Sequence, residues 1–326
     1  MGKGKKTWIL ILNKKSKIFV AGHKGMVGSA IINKLQKNGY KNLIFRTHKQ
    51  LDLKKQSLVT SFFKKEKPDI VFIAAAKVGG IKANNIYRAQ FIYDNLLIQS
   101  NIIDAAHNAK VKKLMFLGSA CIYPRECPHP IKEEYLLSSY LEPTNEPYAI
   151  AKIAGIKLCE NYYHQYGDNF ISVMPNNLYG INDNFNLNTS HVLPALIRKF
   201  HEAKNNNLKE VEVWGTGKPK REFLHVDDLA DACIFLMKKL DAKKLYNQKI
   251  SHINIGSGQE LTIKRLAYMI KKIVKYKGNI IFNSGYPDGM PRKLLDISRI
   301  SSLGWQSTIN LNDGIELVYQ WYKENI

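Results

Sequence analysis

The sequence has few cysteines: four among 326 residues, with no two of them in a C-x-x-C pair. Structural zinc sites and disulfide frameworks both need closely spaced cysteines. We therefore predict no metal site, no disulfide framework and a reducing, cytoplasmic location. The four residues are Cys121, Cys127, Cys159 and Cys233.

Long apolar runs are also missing. No uninterrupted apolar stretch approaches the roughly 18 residues that a membrane-spanning helix needs, so we predict no membrane partner. The first seventeen residues contain six lysines and no acidic residue, around a short apolar patch at 8–12 that is too brief for a signal peptide. We predict that residues 1–16 form a flexible basic extension.

Acidic residues are scarce relative to basic ones, 27 against 49, which gives a formal net charge of +22. Such a charge is typical of a nucleic-acid-binding protein or of an enzyme whose ligands are polyanions. The lysines are spread along the chain in short runs, without an arginine-rich cluster or alternation with aromatic residues. We therefore interpret most of them as a solvated surface and predict no nucleic-acid partner.

Apolar runs of strand length alternate with longer stretches of helical periodicity in the first half of the chain. This alternation predicts a Rossmann-type doubly wound parallel sheet of the α/β class, with a smaller C-terminal lobe. We place the first domain at 17–178 and the lobe at 179–326, with later segments such as 226–258 returning to the first sheet. Strands are predicted at 17–21, 43–45, 70–76, 113–117 and 170–174, and helices at 26–38, 56–65, 84–108, 147–166, 193–202 and 226–240.

A glycine-spaced turn, G-H-K-G-M-V-G, lies between the first predicted strand and the first predicted helix. In that context the first glycine permits a tight turn, the second lets backbone N–H groups approach a pyrophosphate, and the third allows helix and sheet to pack closely. The turn therefore predicts dinucleotide binding. Its residues are Gly22, His23, Lys24, Gly25, Met26, Val27 and Gly28.

The second predicted strand ends in basic residues. Folds that prefer NAD place an acid there to bind the ribose 2′-hydroxyl, whereas this chain has Arg46 and His48. With Lys24 these residues favour a 2′-phosphate, and hence NADP (as NADPH), unless they are merely surface cations. Asp52 and Leu53 either receive the adenine or cap the following helix.

A phenol and an ammonium are spaced for joint chemistry in the predicted helix 147–166. Tyr148 and Lys152 lie at i and i+4, so they share one helix face, and the lysine can lower the pKa of the tyrosine and bind a nicotinamide ribose. Ser119 follows a predicted strand at the sheet edge where such folds build active sites. Ser119 can therefore bind the carbonyl that Tyr148 protonates, although it could equally cap a turn.

Four longer motifs accompany these residues: A-A-A-K-V-G-G at 74–80, G-S-A-C-I-Y-P at 118–124, E-P-T-N-E-P-Y-A at 142–149 and R-E-F-L-H-V-D-D at 221–228. With the glycine turn, the chain resembles the extended short-chain dehydrogenase/reductase superfamily, and within it the GDP-L-fucose synthase family. The resemblance runs from about residue 17 to 323. It implies that GDP-4-keto-6-deoxy-D-mannose is epimerised at C3 and C5 and then reduced at the 4-keto group by NADPH.

The resemblance also implies roles that the residues alone do not suggest. Taken alone, Cys121 is a buried core thiol and His191 begins a helix, whereas the family motif makes them the base and acid of epimerisation. The family pattern further implies a homodimer formed through two long helices. It assigns Lys199, Trp214, Arg221 and Asp288 to the GDP-sugar, and Leu117, Gly118, Ser119, Ala120, Lys152, Pro175, Asn176, Asn177, Leu178 and His191 to the cofactor.

The chain departs from the family pattern at Lys24 and His48, where arginines are usual, and at Ala120, where a serine is common. The first two differences weaken the expected grip on a 2′-phosphate. Two other functions stay open from the sequence. One is a 4-reductase or epimerase of another nucleotide-linked keto-sugar, such as a GDP-heptose. The other is a dinucleotide-binding protein without catalysis.

Overall fold

The computed structural model describes residues 12–286 and 288–326. Twelve strands and eleven α-helices are found in them. The strands are β1 (Ile18–Ala21), β2 (Leu43–Ile44), β3 (Ile70–Ile73), β4 (Lys113–Leu117), β5 (Phe170–Pro175), β6 (Asn177–Tyr179), β7 (Glu210–Trp214), β8 (Lys220–His225), β9 (Ile253–Ile255), β10 (Glu260–Thr262), β11 (Asn279–Asn283) and β12 (Arg292–Lys293). The helices are α1 (Met26–Lys37), α2 (Gln56–Glu66), α3 (Ile81–Ile86), α4 (Arg88–Asn108), α5 (Glu146–Tyr166), α6 (Val192–Asn205), α7 (Val226–Lys239), α8 (Ala242–Tyr246), α9 (Ile263–Val274), α10 (Ser298–Ser302) and α11 (Leu311–Asn325).

Six parallel strands form the main sheet, in the order β2-β1-β3-β4-β5-β9. Strands β1, β3, β4 and β5 are buried along their whole length, because helices cover both faces of the sheet. One hydrophobic cluster joins the sheet to α1 and α7, and a second joins it to α2, α4 and α5. The predicted doubly wound α/β fold is confirmed.

A smaller sheet is formed by strands from the later part of the chain. β8 pairs antiparallel with β10 and parallel with β12 and β6, and a separate pair joins β7 to β11. Helices α6, α9 and α11 cover these strands in a third hydrophobic cluster. The segment 226–258 contributes α7 to one face of the main sheet and β9 to its edge. The division into domains at residue 178 stays a prediction.

Three predicted elements differ from the structure. The predicted helix 84–108 is interrupted at Tyr87, whose φ of −98° and ψ of 38° separate α3 from α4. The predicted strand 70–76 ends at Ile73, and Ala74 adds one further hydrogen bond to the neighbouring strand, from its N–H to the Ala21 carbonyl (3.1 Å). Leu12 is fully buried in the core, a contact that the extension predicted for 1–16 does not include. Its residues 1–11 lie outside the described residues, and its flexibility stays a prediction.

None of the helices within the described ranges is long and apolar enough to cross a lipid bilayer.

Candidate active site

The glycine turn joins β1 to α1 in a conformation that depends on glycine. Gly22 has a φ of +88°, and a Cβ there would lie 2.7 Å from the Ala75 nitrogen. A Cβ on Gly28 would lie 2.1 Å from the Gly22 carbonyl oxygen. At Gly25, by contrast, a Cβ would meet only that same oxygen at an ordinary 3.5 Å. Folding alone does not require glycine at position 25, which fits a place where backbone N–H groups approach a pyrophosphate.

The basic residues that are expected to bind the 2′-phosphate differ in how many contacts they already make with the protein. Arg46 already donates to a carboxylate oxygen of Glu66 (2.6 Å) and to the Phe45 carbonyl (2.9 Å). Lys24 and His48 are exposed, and neither has a carboxylate partner within the described part of the chain. The His23 ring stacks on Phe45 (4.9 Å between centroids), and its pKa is lowered by burial and by the charge of Lys24. Lys24 and His48 are therefore less committed to other contacts than Arg46.

Asp52 and Leu53 are predicted either to cap α2 or to receive the adenine, and the structure tests only the cap. Helix α2 begins after Lys55 without a side-chain cap, and the Asp52 carboxylate instead accepts the backbone N–H of Lys54 (3.1 Å). Asp52 therefore does not cap α2. The Leu53 carbonyl accepts the side-chain amide of Asn101 (2.9 Å), which fixes the loop beside the cofactor edge of the sheet. Adenine contact at this loop stays a prediction.

Lys152 is anchored at the end of β4. Its ammonium donates to the Leu117 carbonyl (2.7 Å) and lies 4.8 Å above the Phe116 ring. Burial lowers the pKa of Lys152 to about 7, because an apolar setting disfavours the charged form. Gly118, which follows Leu117, is packed so tightly that a Cβ on it would lie 2.3 Å from the Met174 Cε. The helix α5 and the strand β4 thus hold this cation in place.

Tyr148 is buried, 9% exposed, and borders the region that we call the cleft, where Ser119, Cys121 and Lys293 also lie. Its pKa is raised, first by burial and then by the negative charge of Cys121, while a hydrogen bond with Ser119 acts in the opposite direction. The expected lowering by Lys152 is therefore not seen in this structure. The lost hydration of the phenolate is the dominant cause, and the Lys152 ammonium is engaged with the Leu117 carbonyl.

Ser119 and Cys121 begin the short 3-10 turn that follows β4. The Ser119 hydroxyl accepts the Cys121 N–H (3.4 Å), so Ser119 caps the turn; its contact with the substrate stays a prediction. The Cys121 sulfur accepts a hydrogen bond from the Asn145 amide (3.4 Å) and lies 3.8 Å from the Lys293 ammonium. Cys121 is only partly buried. The thiol therefore faces the cleft and is not the core residue that its sequence alone suggested.

His191 is the residue that precedes α6. It is exposed by its accessible surface, yet protein atoms crowd it closely enough that desolvation, and then the charge of Lys293, lower its pKa. Both observations describe an imidazole on the wall of an open cleft. The preceding residue is fixed by Gly80, where a Cβ would lie 2.5 Å from the Ser190 carbonyl oxygen.

The four predicted sugar-nucleotide residues come from different elements: Lys199 from α6, Trp214 from the end of β7, Arg221 from β8 and Asp288 from the segment before β12. The Lys199 ammonium lies 4.7 Å above the Trp214 ring. Arg221 donates to the Asp288 carbonyl (3.3 Å), and its pKa is lowered by burial, with partly opposing effects of Asp288 and Cys121. The Asp288 carboxylate accepts the backbone N–H and the hydroxyl of Thr216, both at 2.7 Å. Among these four residues, Arg221 is therefore the one that interacts both with Asp288 and with Cys121.

The segment predicted to border the nicotinamide, Pro175–Leu178, crosses from β5 into β6. The Asn176 amide donates to the Glu222 carboxylate, and the Asn177 amide donates to the Glu222 carbonyl (2.8 Å). These bonds turn both amides toward β8, away from open solvent. Contact with the nicotinamide stays a prediction for Pro175 and Leu178 as well.

Sequence reasoning missed several residues of the cleft. Lys293 and Asn145 contact Cys121, and Tyr286 stacks on Trp214 with centroids 4.4 Å apart and planes 9° apart. Asn145 Oδ1 and Ser190 Oγ are buried without a hydrogen-bond partner among the described residues, as expected of groups that complete their bonding with a ligand. Asn145 and Ser190 flank predicted site residues in sequence, a signal that could have found them, whereas Lys293 lies in no motif.

Comparisons with known proteins agree with this geometry. A family model described as the NAD dependent epimerase/dehydratase family matches residues 18–256. The chain is 57% identical to the putative GDP-L-fucose synthase 2 of Arabidopsis thaliana, over 100% of this chain and 97% of that protein. It is 54% identical to the GDP-L-fucose synthase of Escherichia coli, over 95% and 98% of the two chains.

A solved structure is similar throughout as well. It is a GDP-mannoheptose C4 reductase from Campylobacter jejuni with NADP bound, 47% identical, covering 96% of this chain and 99% of that one with a TM-score of 0.89. The resemblance inferred from the motifs is confirmed. The chain belongs to the NAD dependent epimerase/dehydratase family.

Proposed function

We propose that the protein converts GDP-4-keto-6-deoxy-D-mannose to GDP-L-fucose, by epimerisation at C3 and C5 followed by NADPH-dependent reduction at C4. The observation that carries the proposal is the position of Cys121 in the cleft beside Tyr148, with His191 on the same cleft wall as Lys293. A reductase alone needs the Ser119, Tyr148 and Lys152 set but no second acid–base pair. The GDP-L-fucose synthases at 54% and 57% identity support the same substrate.

The cofactor fits the residues that are present. Gly25 leaves room for a pyrophosphate beside the N-terminus of α1, and Lys24 is uncommitted beside the 2′-phosphate position. NADPH, when bound, supplies the hydride for C4. Lys152, held by the Leu117 carbonyl, orients the nicotinamide ribose. The positive charge of Lys24 and the guanidinium of Arg46 favour NADP over NAD.

Reduction of the ketone needs a proton at O4, and Tyr148 supplies it. Burial raises the pKa of Tyr148, so the phenol is protonated at neutral pH and can act as the acid. The Ser119 hydroxyl, which interacts with Tyr148 in the absence of substrate, donates its proton to the same carbonyl oxygen when substrate binds, and so supplies a second hydrogen bond. Two donors at one oxygen also stabilise an enolate, which makes the protons at C3 and C5 removable.

Epimerisation at each carbon needs a base on one face of the sugar and an acid on the other. Cys121, as thiolate, removes the proton, and His191 returns one to the opposite face. The diphosphate binds Arg221 and Lys199, because a guanidinium offers a bidentate grip on phosphate oxygens. Asp288 and the Trp214 ring complete the nucleotide contacts.

The test is incubation of the purified protein with GDP-4-keto-6-deoxy-D-mannose and NADPH, with absorbance at the NADPH band and NMR identification of the sugar. GDP-L-fucose is the expected product. A reduced sugar that keeps the D-manno configuration would overturn the roles of Cys121 and His191. Cys121→Ala should lose incorporation of solvent deuterium at C3 and C5 without losing NADPH binding, which tests the base. His191→Ala should lose formation of the epimerised product, which tests the acid.

A second candidate keeps the fold and changes the sugar. The Campylobacter jejuni structure, at 47% identity, is a GDP-mannoheptose C4 reductase, so a GDP-linked 4-keto-heptose is the alternative substrate. Competition between the two keto-sugars for one enzyme sample decides between them. The substrate with the higher kcat/KM is the one for which the cleft is built.

We also propose a homodimer and a cytoplasmic location. Helices α4 and α5 pack together, with the Gln99 amide donating to the Ala151 carbonyl (2.5 Å). Both helices leave apolar side chains in solvent, since Tyr93 is 63% and Ile150 is 41% exposed. Sedimentation equilibrium should give twice the chain mass, and a Tyr93→Glu, Ile150→Glu double variant should give the single mass.

A further inference from the structure

A lysine that belongs to no sequence motif lies against the thiol of Cys121. Lys293 ends β12, and its register partner in β8 is Arg221. Its residue surface is only 7% exposed, and its ammonium lies 3.8 Å from the Cys121 sulfur. No carboxylate is paired with this ammonium among the residues that the structure describes. Burying an unpaired cation costs free energy, so its position needs a reason other than folding.

The backbone of Lys293 is fixed by a buried carboxylate. Glu222 is fully buried and accepts the N–H groups of Leu295 (3.0 Å) and Gly258 (2.7 Å). It also accepts the Asn176 amide, which in turn donates to the Lys293 carbonyl at 3.5 Å. Strand pairing and this carboxylate together fix the backbone from which the Lys293 side chain reaches the Cys121 sulfur.

The charges around the thiol are of one sign. The titratable groups that interact with Cys121 are Tyr148 on α5, Arg221 on β8 and Lys293 on β12. The Asn145 amide adds a neutral donor to the sulfur (3.4 Å). Lys293 also interacts with His191 and with Cys127. A cation within about 4 to 6 Å favours a thiolate over a thiol, and Lys293 is the cation at hydrogen-bonding distance.

We propose that Lys293 is a positioning residue of the acid–base pair: its buried ammonium, 3.8 Å from the Cys121 sulfur, stabilises the thiolate that removes the proton. This inference rests on the proposed function for its catalytic meaning. Its physical content, a charge effect on one thiol, does not depend on which sugar the enzyme uses.

The experiment measures the rate of Cys121 alkylation by iodoacetamide against pH in the full-length protein. A Cys127→Ser background removes the other partly buried thiol, while Cys159 and Cys233 are buried. In this background Lys293→Met removes the charge and keeps the aliphatic stem, and Lys293→Arg keeps the charge. Lys132→Met removes an exposed lysine and is the matched control. Lys293→Gln is a second neutral variant for the case in which the methionine variant folds poorly.

The expected result is a midpoint of the alkylation profile about one pH unit higher or more in Lys293→Met and Lys293→Gln, and near the starting value in Lys293→Arg and Lys132→Met. At neutral pH the neutral variants should also incorporate deuterium at C3 and C5 about tenfold more slowly, with recovery at higher pH. Unchanged midpoints in the neutral variants would overturn the proposal. A shifted midpoint in an enzyme that makes no GDP-L-fucose would overturn the proposed function and leave the role of Lys293 standing.

Discussion

Two walls of the cleft are built in different ways. The first wall consists of Ser119, Cys121, Tyr148 and Lys152, which come from the end of β4 and the first turns of α5. The second wall consists of Arg221, Asp288 and Lys293, which come from β8, β12 and the segment before β12. The first wall is contained in one βα unit, whereas the second depends on pairing between strands about seventy residues apart. A short-range motif can therefore specify the first wall but not the second.

The two walls also differ in electrostatics. The first wall has one buried lysine, and burial lowers its pKa to about 7. The second wall presents Arg221 and Lys293 as cations toward a thiol and the expected diphosphate position. We infer that the first wall handles protons at the ketone, and that the second holds negative charge. Substitutions in each wall, and at a buried lysine outside both, test this division.

Tyr148→Phe removes the proton donor of the first wall. We expect the rate of NADPH oxidation with the keto-sugar to fall about 10³-fold, within the range typical of a general acid, while NADPH affinity from fluorescence titration stays unchanged. Tyr140→Phe, at a residue that is 91% exposed, should have no effect. A loss of less than tenfold would mean that another group protonates O4.

Arg221→Met removes the guanidinium of the second wall. Charge-assisted hydrogen bonds contribute about 1.5–3 kcal/mol, so the KM for the GDP-sugar should rise about 10- to 100-fold with a smaller change in kcat. Arg198→Met is the control, because Arg198 pairs with Glu202 within α6 (2.7 Å). A 10- to 100-fold fall in kcat with an unchanged KM would instead show that Arg221 acts in the chemical step, as proposed for the first wall.

Glu222→Gln weakens the tether of the second wall. The buried carboxylate accepts several N–H groups, and an amide cannot satisfy all of them, so the free energy of unfolding in urea should fall by about 1–3 kcal/mol. Glu260→Gln serves as control on the neighbouring β10, since its pairing with Arg292 (2.8 Å) is partly exposed and such pairs contribute about 0.2–1 kcal/mol. An equal decrease in the free energy of unfolding for both variants would show that the buried Glu222 carboxylate stabilises the protein no more than the partly exposed Glu260 does.

Lys113 offers a comparison with Lys152 outside the cleft. Its ammonium donates to the carbonyls of Met237 (2.9 Å) and Leu240 at the end of α7, and burial lowers its pKa to about 8. An unfolded lysine keeps its proton up to about pH 10.4, so between about 8 and 10.4 the unfolded state binds more protons. The free energy of unfolding should therefore gain a contribution that rises with pH in this window, by at most about 1.4 kcal/mol per unit.

The same measurement on Lys113→Met isolates that contribution. This variant loses the two hydrogen bonds and should be less stable overall, but its free energy of unfolding should rise less steeply above pH 8 than that of the wild type. Denaturant unfolding at several pH values between 7 and 10 gives both slopes. Parallel slopes would show that Lys113 keeps its proton throughout.

Much of the first half of the fold could be predicted from the sequence. The strands at 18–21, 113–117 and 170–175 are apolar runs interrupted only by Lys113 and Ser172, and each is followed by glycine or asparagine. Burial of a parallel sheet on both faces demands such runs. The break between α3 and α4 was missed, because helical periodicity continues through Tyr87 while the backbone turns there. The burial of Leu12 was missed for the opposite reason, since lysines on both sides of it indicated solvent.

The residues of the candidate site also differ in whether the sequence could predict them. Residues at fixed short spacing, such as Tyr148 and Lys152, were placed by helix geometry alone. The resemblance to a family, and not spacing, pointed to Cys121 and His191. Tyr286 and Lys293 could not be placed by either route, because their contacts arise from the pairing of β11 with β7 and of β12 with β8.

The α/β fold, the glycine turn and the Tyr148–Lys152 pair follow from the sequence alone, because they depend on backbone conformation and on residues one helical turn apart. Only the tertiary structure decided that a lysine 172 residues away from Cys121 lies 3.8 Å from its sulfur. It also decided that burial raises the pKa of Tyr148 where the i and i+4 spacing alone predicts a lowering. Charge effects fall off with distance in space and depend on lost hydration, and neither quantity can be read from positions along a chain.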